Sequence, residues 1–116
     1  MESWINPWSI IFVITGLLTL IFGYTLLKFP PKKINWFYGY RTARSMKSQQ
    51  RWDFAQTYSG REMVRGGVLM IVVGVCGAWL PLEPVVVAFL SIPVVLLLAV
   101  VLIYRVEQAL IRKFGK

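Results

Sequence analysis

The chain has 116 residues, of which 57% are hydrophobic and only 16% charged, yet its formal net charge is +8. A soluble domain of this length is usually about 45–50% apolar and roughly a quarter charged, so this composition excludes an ordinary water-soluble core. With no histidine and one cysteine, Cys76, the sequence also excludes Ser-His-Asp and Cys-His catalysis, histidine-based metal sites and an internal disulfide. Three uncharged blocks hold the apolar excess: Trp8 to Leu27, Val68 to Leu82, and Pro84 to Tyr104. A bilayer core needs about 20 helical residues to cross. The first and third blocks reach that alone, and the second does if it starts near Met63 with Arg65 snorkelling to the interface.

The N-terminus carries Glu2 and no cation before the first block. A signal peptide has a cationic start and a short apolar stretch, so this block is expected to be a retained span. Gly16 and Gly23 lie seven apart in it, and small residues on one helix face permit close packing. Trp4, Trp8 and Tyr24 stand where interfacial anchors are expected. Pro30-Pro31 should end the helix, because a proline pushes the residue before it out of the helical region.

The connection that follows is dense in cations. Lys28, Lys32, Lys33, Arg41, Arg44, Lys47, Arg51, Arg61 and Arg65 face only Asp53 and Glu62. The run Asn35-Trp36-Phe37-Tyr38-Gly39-Tyr40 is too aromatic for a featureless linker. Ser45 or Ser48 could N-cap the next helix. From Ser48 to Ser59, Trp52, Ala55 and Tyr58 alternate with polar residues at helical spacing, which predicts an amphipathic helix lying in the membrane interface. Gly60 is expected to separate it from the second span. Arg41 and Arg44 are three apart and could clamp a phosphate or carboxylate. Asn35, Tyr40, Thr42 and Ser45 could supply hydrogen bonds to the same anion, and Asp53 and Glu62 could orient the arginines or move protons. The blander alternative is that the acids pair with neighbouring cations and the aromatics anchor at the interface.

In the second span, Gly74 and Ala78 form a small-xxx-small pair suited to helix packing with partners. Pro81 and Pro84 bracket a tight turn, Pro84 suits the first helical position, and Pro93 predicts a kink in the third span. The tail from Arg105 to Lys113 should continue that helix beyond the membrane. All thirteen Lys and Arg residues fall on the first connection and the C-terminal end. Cations are retained on the cytoplasmic side, so the N-terminus is expected outside, and the basic segment and C-terminus inside. No charged group lies deep in a span, which disfavours a self-contained proton-driven transporter, and no Gly-rich phosphate loop is present.

The expected fold is therefore an all-α integral membrane protein forming a single domain over 1–116. Its spans are at about 8–28, 63–82 and 84–104, its basic cytoplasmic segment is 29–62, and an amphipathic interfacial helix separates the first two spans. No cofactor, metal or nucleic acid is expected. The expected partners are a bilayer with anionic lipids and, beyond it, a peptide toxin, a partner membrane protein or a second copy.

The basic segment also resembles the signature of the SdpI family. Asn35, Gly39, Arg41, Thr42, Ser45, Trp52 and Ala55 match it, and Asp53 lies within the same stretch. That family comprises bacterial multi-spanning membrane proteins, and its best-known member confers immunity to a secreted toxic peptide and captures a repressor at the membrane. That member is longer, and this chain is similar to a short form that keeps the signature-bearing unit. The resemblance implies a non-enzymatic immunity or signalling protein of the bacterial cytoplasmic membrane. In that reading Asn35 and Arg41 shape the segment or grip an anion, and Trp52 anchors it to the bilayer. The other open readings are a protein that binds or handles a phosphorylated lipid, with Arg41, Arg44 and Lys47 on the phosphate, and a small assembly subunit.

Overall fold

The computed structural model describes residues 7–79, 81 and 83–116; the expectations for Glu2 and Trp4 lie outside them. Three helices account for most of the described residues: α1 (Pro7–Lys28), α2 (Gln49–Cys76) and α3 (Pro84–Phe114), with a short 3-10 turn, Gly77–Trp79, ending α2. Each is long and apolar enough to cross a membrane, and the described residues contain no strand. The bundle measures 51 × 26 × 21 Å. Its long axis exceeds a hydrocarbon core of about 30 Å by some 20 Å, and the surplus lies at the end carrying the cations.

α1 and α2 run antiparallel on a heptad of small residues. Ser9, Gly16 and Gly23 on α1 face Gly74, Gly67 and Gly60 on α2. The Ser9 hydroxyl donates to the Gly74 carbonyl at 2.8 Å. A methyl group at Gly16 would sit 2.7 Å from the Gly67 carbonyl oxygen, and one at Gly23 would sit 2.8 Å from the Gly60 carbonyl oxygen. A seven-residue period keeps one stripe of each helix facing the other, and the missing side chains bring the backbones together. The Trp8 indole N–H closes the far end by donating to the Val73 carbonyl at 2.9 Å. Gly16, Gly23 and Gly74 thus pack within the chain. Ala78 is buried in the 3-10 turn.

This stripe corrects the expectation of a separate interfacial helix. Gly60 does not break the chain, because α2 runs without interruption from Gln49 to Cys76. Glycine weakens a helix interior by roughly 1 kcal/mol relative to alanine, but here it meets Leu27 and the Gly23 backbone of α1, and close packing offsets that cost. The amphipathic stretch stands upright as the lower part of α2, so its apolar face covers protein. Ser48 caps it, accepting from the Arg51 amide at 3.1 Å.

α3 starts with Pro84 at its first turn and runs unbroken through Pro93 to Phe114. Its last turns, beyond the apolar span ending at Tyr104, pack on the upright part of α2. Ala55, Val106 and Leu110 form the core there, flanked by Tyr40, Phe54, Tyr58 and Phe114. Between that contact and the buried Val87 and Ser91 near the start of α3, a cleft opens between this helix and the α1–α2 pair. Most of the apolar surface of α3 is exposed, from Phe89 to Tyr104, as suits a lipid-facing helix.

Candidate functional site

The segment from Pro31 to Lys47 forms a clasp across the projecting ends of α2 and α3. Asn35 starts it: its Oδ1 accepts from the Phe37 amide at 2.9 Å and the Tyr38 amide at 2.8 Å, while its Nδ2 donates to the Lys33 carbonyl at 2.9 Å. This is an Asx-type turn, which asparagine forms readily. It leaves Trp36 and Phe37 at 74% and 92% exposure, close to where α1 leaves the apolar layer, and amphipathic rings favour that level.

Gly39 follows with φ +108°, and a methyl group there would sit 2.5 Å from the Gln56 Oε1 and 2.8 Å from Pro31. Only glycine accepts both the backbone angle and the approach. Gln56, fully enclosed on α2, reads the next residue as a strand neighbour would. Its Oε1 accepts from the Tyr40 amide at 2.7 Å, and its Nε2 donates to the Tyr40 carbonyl at 2.9 Å. Thr42 and Ser45 then bind each other. The Thr42 amide donates to Ser45 Oγ at 2.9 Å, and the Ser45 amide to Thr42 Oγ1 at 3.1 Å. Trp52 is buried, and its indole N–H donates to the Pro31 carbonyl at 2.7 Å. It pins the start of the clasp to α2 and does not reach the bilayer, contrary to its expected role as an anchor. Ala55 is small enough for α3 to approach.

Glu107 on α3 fastens the clasp to the third helix. Its Oε2 accepts from the Tyr40 hydroxyl at 2.7 Å and the Thr42 hydroxyl at 2.9 Å, and its Oε1 accepts from Arg44 at 2.8 Å. Partial burial alone would raise this carboxyl's pKa. The donors Tyr40, Thr42 and Arg44 outweigh it, so the Glu107 pKa lies below the ordinary carboxylate value. Burial, followed by the adjoining Glu107 carboxylate, pushes the Tyr40 phenol upward and keeps it protonated as a donor.

The anion clamp expected of Arg41 and Arg44 is therefore divided. Arg44 is engaged by Glu107, and Asn35, Tyr40, Thr42 and Ser45 have their polar groups in internal bonds. Arg41 is exposed and has no hydrogen-bond or ion-pair partner among the described residues. It lines a lateral cleft of about 650 Å³ between the three helices. Glu62 sits at the mouth of that cleft, nearly buried, and accepts from Arg105 and from Arg65, the latter at 3.3 Å. Asp53 faces Gln49 at 2.8 Å. Neither acid orients Arg41 or Arg44, as their chain positions had suggested, because the upright α2 turns Glu62 towards α3 and Asp53 towards solvent. Beyond the mouth the cleft is walled by apolar side chains, among them Phe22, Leu69, Leu98 and Leu102.

Sequence reasoning missed Glu107, Gln56 and the contact of Arg105 with Glu62. Gln56 had a legible signal, since Trp52, Gln56 and Ser59 follow the helical i, i+4, i+7 spacing of one buried face. Glu107 had a weaker one, as the lone acid in a cationic tail.

Comparison with known proteins locates this arrangement. A stretch of 62 residues, 53% of the chain, is 42% identical to an uncharacterized protein of Bacillus subtilis (strain 168), YfhL, and the matched stretch spans 56% of that relative's length. No solved structure matches. The profile of the SdpI/YfhL protein family matches residues 32–105, which takes in the clasp, all of α2 and the apolar part of α3. On that match over more than half its length, the chain belongs to the SdpI/YfhL protein family.

Proposed function

We propose that this chain is a non-enzymatic bacterial inner-membrane protein that protects against, or senses, a membrane-active peptide. The observation that carries this reading is the allocation of polar groups in the stretch matched by the family. Nearly every signature side chain is tied into the clasp, and Arg41 is left outward beside a lipid-facing cleft. Such an arrangement suits binding and positioning at the membrane. A reaction needs a nucleophile, or an acid and base converging on one reacting atom, and the two acids nearest the cleft serve arginines.

The orientation that goes with this reading follows the cation bias. The clasp and the projecting ends of α2 and α3 face the cytoplasm, and the Pro81 turn faces outward. In that orientation a peptide inserting from outside meets the α1–α2 pair and α3 within the bilayer, and any regulator meets the clasp. The test is killing of cells that carry, lack or overproduce the chain, by a panel of membrane-active peptides. The expected result is a selective rise in sensitivity on deletion and a fall on overproduction. Unchanged sensitivity to the whole panel contradicts the reading.

A further inference from the structure

We propose that the lateral cleft is a binding site for one anionic phospholipid, its phosphate on Arg41 at the mouth and an acyl chain in the apolar slot. The inference does not depend on the peptide reading above. Three observations carry it.

The first is charge. Arg41, Arg65 and Arg105 share the mouth with one carboxylate, Glu62, which already serves both Arg65 and Arg105. Those two side chains are still 73% and 54% exposed, and Arg41 is unpaired among the described residues. Two positive charges are thus left over, with guanidinium forks suited to a phosphate.

The second is depth. The cleft follows α3 from Arg105 up to Val95, a rise of about 15 Å at 1.5 Å per residue. That is one leaflet of a hydrocarbon core about 30 Å thick. A free anion has no use for such a slot, whereas a lipid whose phosphate lies at the arginines fills it.

The third is the wall. Gly66 on α2 and Ala99 on α3 line the slot with minimal side chains, and the cleft separates α3 from α1 and α2 along this wall. Space is kept open where helices of a three-helix bundle would otherwise close. Of the two threonines that line it, Thr19 brings no free donor, because its hydroxyl is bonded to the Thr15 carbonyl at 2.8 Å.

The test is native mass spectrometry of the full chain, delipidated in detergent and titrated with phosphatidylglycerol, with phosphatidylcholine of the same acyl chains, or with inorganic phosphate. The expected result is one phosphatidylglycerol retained per chain in preference to phosphatidylcholine, and no retention of inorganic phosphate. Arg41→Ala should weaken phosphatidylglycerol by about tenfold, the loss of one charge-assisted contact, with the thermal unfolding midpoint unchanged. Ala99→Phe, which fills the slot and leaves the arginines in place, should weaken it too. Equal retention of the two lipids, or wild-type retention by both variants, overturns the proposal. So does phosphate binding as tight as the lipid. Preferential uptake of an amphipathic peptide ending in a free carboxylate assigns the cleft to peptide and overturns it as well.

Discussion

Glu107→Gln isolates the charge that joins the clasp to α3. The substitution keeps size and shape but replaces a carboxylate accepting three hydrogen bonds, at 2.7, 2.9 and 2.8 Å, with a neutral amide. Hydrogen bonds to a charged group contribute about 1.5–3 kcal/mol net, against about 0.5–1.5 for neutral ones. Three such differences sum to about 3 kcal/mol. The Arg44 side chain is 30% exposed and Glu107 18%, so water screens part of the ion pair, and about 2 kcal/mol is the expected loss. The amide nitrogen also faces two hydroxyls that must turn round to accept. Tyr40 then keeps only a long contact with the Ile103 carbonyl, at 3.5 Å, as an outlet for its proton. The assay is reversible unfolding in mixed micelles, followed by tryptophan fluorescence, for wild type, Glu107→Gln, Arg44→Met and the double variant. The two changes should be coupled, the double variant losing less than the sum of the singles. A Glu107→Gln protein within about 0.5 kcal/mol of wild type, the range of ordinary surface substitutions, together with strict additivity, would refute the clasp's dependence on this carboxylate.

Other outcomes follow from the same geometry. The Glu107 pKa is lowered on folding, so its stabilisation is full above the unfolded carboxyl value of about 4.3 and is lost as pH falls through the folded value; the unfolding midpoint should drop on acidification below that point in wild type and less in Glu107→Gln. Gly67→Ala puts a methyl group 2.6 Å from the Gly16 carbonyl oxygen, and such overpacking should cost about 1–3 kcal/mol, measured by the same unfolding, whereas Gly66→Ala, whose added carbon meets nothing closer than 3.9 Å, should stabilise by up to about 1 kcal/mol through helix propensity. Gly39→Ala must bear a left-handed backbone angle and displace Gln56, so it should lose more than about 1 kcal/mol and show faster proteolysis of the 31–47 segment. In single-tryptophan variants, brominated lipid should quench Trp36 and spare Trp52; strong quenching of Trp52 would mean that it faces the bilayer.

The spans were legible because a bilayer imposes one rule over about 20 residues at a time. The uncharged blocks marked them, and Pro30, Pro81 and Pro84 marked their ends. The clasp was legible as a special segment but not as a shape. An amphipathic helix is the same pattern whether its apolar face meets lipid or protein, so Trp52, Ala55 and Tyr58 read equally well as an interfacial helix. What decides is Gly60, which punctuates a helix in isolation but in this fold is the third tooth of the stripe with Gly67 and Gly74. That stripe shows at a period of seven only when α1 is set against α2. Arg41 and Arg44 read as a pair because they stand three residues apart, but the non-helical turn between them sends Arg44 to Glu107 and Arg41 to the cleft. Glu107 lies 63 residues from Arg44, and no local pattern announces so distant a partner.

Within the signature segment most side chains build the clasp, and Arg41 is left to act. The most direct measurement is protection of cells against a peptide to which the intact chain confers resistance, compared between wild type and Arg41→Ala at equal membrane levels and equal unfolding midpoints. Because Arg41 makes no side-chain bond among the described residues, the expected result is an undiminished midpoint and lost protection. Full protection by Arg41→Ala would contradict it, and so would a fall in its stability comparable to that of Glu107→Gln.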